Sequence, residues 1–382
     1  MGCGGRSHAI VNVHTKGKTV VDIVTVIAMI AGLGLLLAGA EALVKGASRL
    51  AVAAGISPLV IGLTVVAFGT SSPELVVSVQ ASLGGLEDLA VGNVVGSNIF
   101  NVLFILGLTA LVAPLVVAQQ IVRVEVPLMI GVSGFLWLLA LDGTLTRWEA
   151  ALLVSAMIAY TVVAIRMSRK ETTEIRKEYV DHLARGGDTA RPSYPRNIAL
   201  VVLGLAMLVV GSNWLVDGAA ALARYVGLSE LIIGLTIVAA GTSLPEVATS
   251  VLAAIRGERD IAVGNVVGSN IFNILGVAGI AGIVSPAGLE ISLPALSFDI
   301  PVMTAVAVAC LPIFFTGHTI SRWEGAVFLV YYVAYTLFLV LDASDHDALP
   351  DFSWVMGAFI LPLTAITLIV VSLRAWRKNR KT

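Results

Sequence analysis

Long apolar runs separated by short polar stretches dominate this chain. Reading for runs long enough to cross a bilayer, roughly 20 residues each, predicts eleven spans. They cover 22–44, 58–80, 89–112, 125–141, 149–167, 197–216, 230–254, 261–284, 300–315, 323–341 and 352–373. The ninth is short and holds Pro301 and Pro312, so it leans on its counterpart in the first half. The first run is long and no small-residue cleavage site follows it, so it reads as a retained span. Only 168–196 is a long polar stretch; it interleaves Arg, Lys, Glu and Asp, ends with Pro192 and Pro195, and reads as a solvated connector.

Two of the apolar runs are broken by a carboxylate. Gly69-Thr70-Ser71-Ser72-Pro73-Glu74 recurs as Gly241-Thr242-Ser243-Leu244-Pro245-Glu246, and neither run contains a lysine or arginine. An ionisable group at bilayer depth costs about 2.5–3.5 kcal/mol on insertion scales, so it is paired, protonated or functional. A proline kink with its glutamate hydrogen-bonded between helices would account for one copy. Two copies without a basic partner point to a cation from solution.

The motif belongs to a larger repeat. At an offset of 172 residues, positions 39–101 align with 211–273 without a gap, and 38 of the 63 pairs are identical. The matches include Gly, Pro, Asn and Ser at fixed places, which shared hydrophobicity does not produce. Farther out, Arg147-Trp148-Glu149 matches Arg322-Trp323-Glu324. Each unit holds five spans, and an odd number inserts the second copy in the opposite sense, the inverted-repeat construction of many secondary transporters. The expected fold class is an all-α polytopic membrane protein of two inverted five-helix repeats plus an eleventh, C-terminal helix. Its divisions are a tail (1–21), a first repeat (22–167), a cytoplasmic linker (168–196), a second repeat (197–341), and an eleventh span with a basic tail (342–382). With the N-terminus outside, Lys45, Arg49, Arg123, Arg256, Arg259, Arg322, the linker and the tail from Arg374 to Lys381 face inward. Acidic Glu87, Asp88, Asp342, Asp345, Asp347 and Asp351 face outward, with Arg147, Arg224 and the three basic residues of the N-terminal tail. Lys/Arg asymmetry in short loops sets orientation, so the expectation is N-out and C-in, in the cell membrane.

Composition agrees with that frame: 57% of residues are hydrophobic and 13% charged, the profile of a polytopic membrane protein. Cys3 and Cys310 are the only cysteines and form neither a disulfide framework nor a metal-ligand spacing. Met1-Gly2-Cys3 invites a lipidation reading, but Arg6 stands where the myristoylation pattern wants Ser or Thr, so the tail reads as unmodified.

Proline inside a helix removes an N–H and frees carbonyls one turn back, here near Gly69 and Thr70 and near Gly241 and Thr242. In lipid such oxygens persist only when buried in protein or facing water or an ion. Each motif therefore offers carboxylate, hydroxyl and carbonyl oxygens, the donors that hard cations take. Ala67, Ser71, Glu74 and Ser78 fall on one helix face, and Ala239, Ser243, Glu246 and Ser250 repeat it. The longest perfect repeat, Val91 to Asn101 against Val263 to Asn273, carries Gly92 and Gly96 at the spacing of close helix packing. Asn93, Ser97 and Asn101 share another face. Ser97 and Asn101 are favoured as ligands over interhelical hydrogen bonds; Asn93 and Asn98 are open between the two.

With these motifs the chain resembles the sodium/calcium exchanger family of the calcium/cation antiporter superfamily, closely over 39–112 and 211–284. The resemblance implies that Glu74 and Glu246 are central ligands shared by Ca²⁺ and Na⁺. It further implies backbone oxygens of Thr70 and Thr242, hydroxyls of Ser71, Ser97, Ser243 and Ser269, carbonyls of Ala67 and Ala239, and amides of Asn101 and Asn273. Some relatives carry aspartate at the place of Asn273, tied in potassium-dependent exchangers to potassium binding, so Asn273 argues against potassium dependence. The expected activity is antiport of Na⁺ against Ca²⁺ by alternating access, with the first and sixth spans (Gly39, Gly46, Gly211, Gly218) as moving parts. The rivals are calcium/proton exchange at the same glutamates and a cation channel. An intramembrane hydrolase lacks a nucleophile–base pair, so no enzyme activity is expected. The expected partners are membrane lipid and small cations, without a cofactor, nucleic acid or an obligatory protein partner.

Overall fold

A computed structural model describes residues 23–185, 194–225, 239–315, 318–344 and 346–367, with backbone alone over 169–185. The N-terminal tail with Cys3, the end of the connector, the first half of the seventh span, Asp345 and the basic tail lie outside the described residues. The helices are α1 (Ile23–Ala54), α2 (Pro58–Thr70), α3 (Ser72–Leu83), α4 (Glu87–Val112), α5 (Ile121–Asp142), α6 (Arg147–Arg185) and α7 (Tyr194–Tyr225). The remainder are α8 (Leu244–Ile255), α9 (Arg259–Val284), α10 (Ala295–Phe315), α11 (Arg322–Ala343) and α12 (Leu349–Thr367). Among the described residues, nine helices are long and apolar enough to cross a membrane, and α2 with α3, bent by 45°, makes a tenth. Helix α8 is the described part of the seventh expected span.

Two helices run past their expected ends. Helix α1 continues through Lys45 and Arg49 to Ala54, because charge ends an apolar run without ending a helix. It stops where Gly55 takes the left-handed conformation (φ +65°), the usual helix C-terminal device. Ser57 then caps α2, its hydroxyl accepting the Val60 N–H, with Pro58 in the first helical position. Helix α6 continues to Arg185, so residues 168–185 of the expected connector are helical. Residues 169–185 contain no Gly or Pro and are rich in Glu, Lys and Arg, good helix formers.

Repeat symmetry is inverted. Helices α1 and α7, 32 residues each, pack antiparallel along glycines spaced by seven. A Cβ on Gly39 would stand 2.8 Å from the Gly204 carbonyl oxygen, and one on Gly211 2.6 Å from that of Gly32. Any side chain there would part the backbones. Each of these helices is about 48 Å long at 1.5 Å per residue, beyond the roughly 30 Å hydrocarbon layer, so they tilt or protrude. Helices α4 and α9 are the most enclosed and form the centre, whereas α11 packs on α4 through Gly325 and Phe328 and is otherwise half-buried or exposed, and α12 is mostly exposed. Helix α12 is tied to α11 by a hydrogen bond between the hydroxyls of Tyr331 and Thr364.

Short ribbons join the halves: β1 (Leu115–Val116) pairs antiparallel with β4 (Thr319–Ile320), and β2 (Thr144–Leu145) with β3 (Leu289–Glu290). The duplicated Arg-Trp-Glu segments open α6 and α11 as capping boxes. Glu149 accepts the Thr146 N–H at 2.8 Å, and Glu324 the Ser321 N–H at 2.8 Å. A second symmetric pair of acids braces the outer helices. Glu125 accepts from the Tyr160 hydroxyl and the Gln120 amide, both at 2.9 Å, and Asp299 from the Tyr335 hydroxyl at 2.9 Å.

A candidate cation site between the two repeats

Proline places each glutamate at a helix start. The backbone leaves the helix at Ser71 (φ −83°, ψ 9°) and at Ser243 (φ −90°, ψ 7°). Pro73 and Pro245 fall in the first turn of the following helix, where a missing N–H costs little. Glu74 and Glu246 occupy the same first turns, so each carboxylate faces the positive end of its own helix. Both are fully buried. The carbonyl that Pro245 frees is taken up within the protein: Gly241 O accepts the Ser212 hydroxyl of α7 at 2.6 Å.

The glutamates are held across the repeat boundary. Ser71 donates to Glu246 Oε1 at 2.8 Å, and Ser243 to Glu74 Oε1 at 2.8 Å. Because each serine lies one helical turn from its own repeat's glutamate, the reciprocal bonds bring the two carboxylates together at the broken helices. Helices α4 and α9 add amides. Asn101 Nδ2 donates to Asn270 Oδ1 at 3.0 Å, and Asn273 Nδ2 to Asn98 Oδ1 at 3.1 Å. Asn101 and Asn273 each open a π-helical turn, Asn101–Leu106 and Asn273–Ala278, a distortion frequent at functional sites.

The oxygens left over are the informative ones. Glu74 Oε2, Glu246 Oε2, Asn101 Oδ1, Asn273 Oδ1, Ser269 Oγ and Thr242 Oγ1 are buried and have no hydrogen-bond partner. Four of the six are related in pairs by the repeat. Among the described residues neither carboxylate is hydrogen-bonded to a basic side chain, and no group of three or more His, Cys, Asp or Glu forms. A serine bond to a charged group is worth about 1.5–3 kcal/mol, while the effective cost of burying an ion is several kcal/mol. One serine each does not offset that cost. The set of two carboxylates with neutral amide and hydroxyl oxygens suits a hard cation such as Ca²⁺ or Na⁺.

The other expected ligands are distributed around this centre. Ser97 lies 3.4 Å from the Ser243 hydroxyl. The Thr70 hydroxyl donates to Asn265 Oδ1 at 3.1 Å, leaving its carbonyl as the candidate group. Ala67 O already accepts the Ser71 N–H at 3.0 Å. Ala239 is the first of the described helical residues, Ala239–Gly241, just before the second break. Asn93 is a brace, donating to Ser78 Oγ at 2.9 Å and to the Glu74 carbonyl at 3.1 Å, and Asn265 donates likewise to Ser250 at 3.0 Å. Two features escaped sequence reasoning. One is the pairing of Asn98 and Asn270 with the amides of the opposite repeat. The other is Thr249, buried without a partner where the first repeat has Val77; a polar residue at an aligned apolar position was the available signal.

A profile described as sodium/calcium exchanger protein matches residues 24–166 and 196–341, both repeats and most of the chain. The chain belongs to the sodium/calcium exchanger family. Among exchanger relatives, the sodium/calcium exchanger MaX1 of Methanosarcina acetivorans is 34% identical over 341 residues, covering 81% of this chain and 97% of that protein. The inner membrane protein YrbG of Escherichia coli is 41% identical over 286 residues, 73% of this chain and 85% of its own length. A solved structure of the sodium–calcium exchanger NCX_Mj, soaked with 10 mM Na⁺ and zero Ca²⁺, superposes with a TM-score of 0.70 at 30% identity, covering 82% of this chain and 98% of that one. This exchanger-family chain is thus an integral multi-pass membrane protein built for cation antiport.

Proposed function

We propose that the chain exchanges Na⁺ for Ca²⁺ by alternating access at one central site made by Glu74 and Glu246. The observation that carries this reading is the set of buried, unpartnered oxygens from both repeats, two of them carboxylate. Two glutamates supply about two negative charges, which one Ca²⁺ neutralises and which Na⁺ ions also neutralise, so the two cargoes exclude each other at the same oxygens. Ser71, Ser243, Ser97, Ser269, Asn101 and Asn273 complete the oxygen set, with carbonyls of Thr70, Thr242, Ala67 and Ala239. About 6–8 oxygens suffice for Ca²⁺. A proton needs one acceptor, so a cage of this size favours Na⁺ over H⁺ as the driving ion.

Alternating access then follows from motion of the α1–α7 pair, whose glycine seam makes it one unit, across the helices that carry the site. The orientation is N-out and C-in in a cell membrane, with lipid around the exposed faces and the connector inside. The deciding experiment is flux into reconstituted vesicles with Na⁺, K⁺ and pH gradients imposed singly. An outward Na⁺ gradient drives Ca²⁺ uptake without K⁺ on this reading; uptake that follows the pH gradient and ignores Na⁺ reassigns the chain to calcium/proton exchange. Labelling of residues 168–196 from outside the cell would overturn the orientation.

A further inference from the structure

Asn98 and Asn270 are each 2% exposed, lie at the centre of the molecule and carry no part of the proposed ion cage. We propose that they are positioning residues: Asn270 holds the amide of Asn101, and Asn98 that of Asn273, with the oxygen toward the transported cation. Each repeat thereby sets the ligand of the other. The inference rests on the central-site reading above.

An asparagine amide has two faces of nearly equal shape and opposite polarity, and its surroundings decide which face looks where. Turned one way, Asn101 offers a cation an acceptor; turned the other, it offers an NH₂ group that repels it. The bond from Asn101 Nδ2 to Asn270 Oδ1 at 3.0 Å fixes the first arrangement, and Asn101 Oδ1 is left buried and unpartnered. Asn273 is fixed by Asn98 Oδ1 at 3.1 Å with the same result.

The clamps work only if their own amides cannot turn. Asn270 Nδ2 lies 3.4 Å from Met129 Sδ on α5. Asn98 Nδ2 lies 3.4 Å from Met303 Sδ on α10 and 3.3 Å from the Asn270 carbonyl oxygen. A thioether accepts weakly and has no hydrogen to donate. If Asn270 turned over, its oxygen would face a sulfur and its NH₂ would face the NH₂ of Asn101. The sequence Met129, Asn270, Asn101, cation therefore has a single polarity, and so does Met303, Asn98, Asn273, cation. Two copies at matching distances make a chance arrangement of one amide a poor account.

The test uses the full chain in proteoliposomes, reading apparent KM for Ca²⁺ and Vmax separately. Outer partners of a metal ligand change metal affinity by about 10–100-fold when removed. N270L is expected to raise the KM for Ca²⁺ by at least about tenfold with Vmax little changed. On an N101A background the same substitution should add almost nothing, because the ligand it orients is gone. N98L should behave alike with respect to N273A. M129L conserves volume and frees the Asn270 amide to turn, so it should shift KM in the same direction by a smaller factor, again only when Asn101 is present. If N270L does not reach the membrane, M129L with and without N101A decides. An unchanged KM, or an equal shift with and without Asn101, overturns the positioning role. If N101A, N273A and the glutamate variants all leave Ca²⁺ transport intact, the central site itself is wrong, a different result.

Discussion

Around the candidate ion site, the bonds to the two carboxylates and between the paired amides are returned in kind. Ser71 and Ser243 each reach the opposite glutamate at 2.8 Å, and the amide pairs close at 3.0 and 3.1 Å. At the edge of the same molecule the return fails. Arg256, at the end of α8, pairs with Glu41 of α1 at 2.6 Å, but the positions 172 residues away are Gly84 and Asn213, which cannot form an ion pair. The contrast separates two requirements. A cation shared by two carboxylates needs equal reach from both sides, because any inequality weakens the cage. The contact between the α1–α7 pair and the helices that carry the candidate site has no such constraint; on the alternating-access reading proposed above, an ion pair on one side would weight one position of that pair over the other.

The strongest break of the symmetric region is charge removal. E74Q and E246Q should each lower Ca²⁺ exchange by at least about 100-fold, as expected when one partner of a buried charged set is lost, in protein that still folds; ⁴⁵Ca²⁺ uptake checks both. Normal exchange by either variant would end the shared-site reading. Next come S71A and S243A, each removing one hydrogen bond to a carboxylate worth about 1.5–3 kcal/mol, or roughly 10–100-fold in affinity. Competition between Na⁺ and Ca²⁺ should show the two losses matched within a small factor; a large mismatch would mean that one glutamate does most of the binding.

The asymmetric contact should give the smallest effect. Its groups are half exposed, with 56% of the arginine and 40% of the glutamate side chain accessible, and pairs of that kind contribute about 0–1 kcal/mol. E41Q or R256Q should therefore alter the ratio of forward to reverse exchange by no more than about fivefold, and high salt should erase the difference. Adding the mirror pair by N213E with G84R should move the ratio back. A ratio unchanged in all of these variants would make the pair a surface contact and nothing more.

The two helix breaks and the place of the glutamates could be read from residue order because the physics is local: Pro73 and Pro245 dictate a helix break, and Glu74 and Glu246 must follow it. The inverted architecture was readable from the offset and the odd number of spans. What escaped depends on partners distant in sequence. The spacing of Asn98 and Asn101 places both on one helix, but not which atom of each amide meets the opposite repeat. The Gly241 carbonyl could be foreseen as freed, but not that Ser212, 29 residues earlier, would occupy it. The extent of α1 and α6 was misjudged because hydropathy reports where lipid ends, while helicity follows propensity and Gly55 or another breaker. Gly32, Gly39 and Gly46, with Gly204, Gly211 and Gly218, form a seven-residue pattern that was present in the sequence and only partly used.

The reciprocal serine bonds also bear on how the protein is made. Glu74 finds its hydrogen-bond donor at Ser243, 169 residues later in the chain. At about 5–20 residues per second, the ribosome needs roughly 10–30 s to supply it. Throughout that interval the Glu74 carboxylate lacks the donor it has in the complete fold. A chain halted before the second motif emerges is therefore expected to be less stable than the whole, with its buried carboxylate marking it as incomplete.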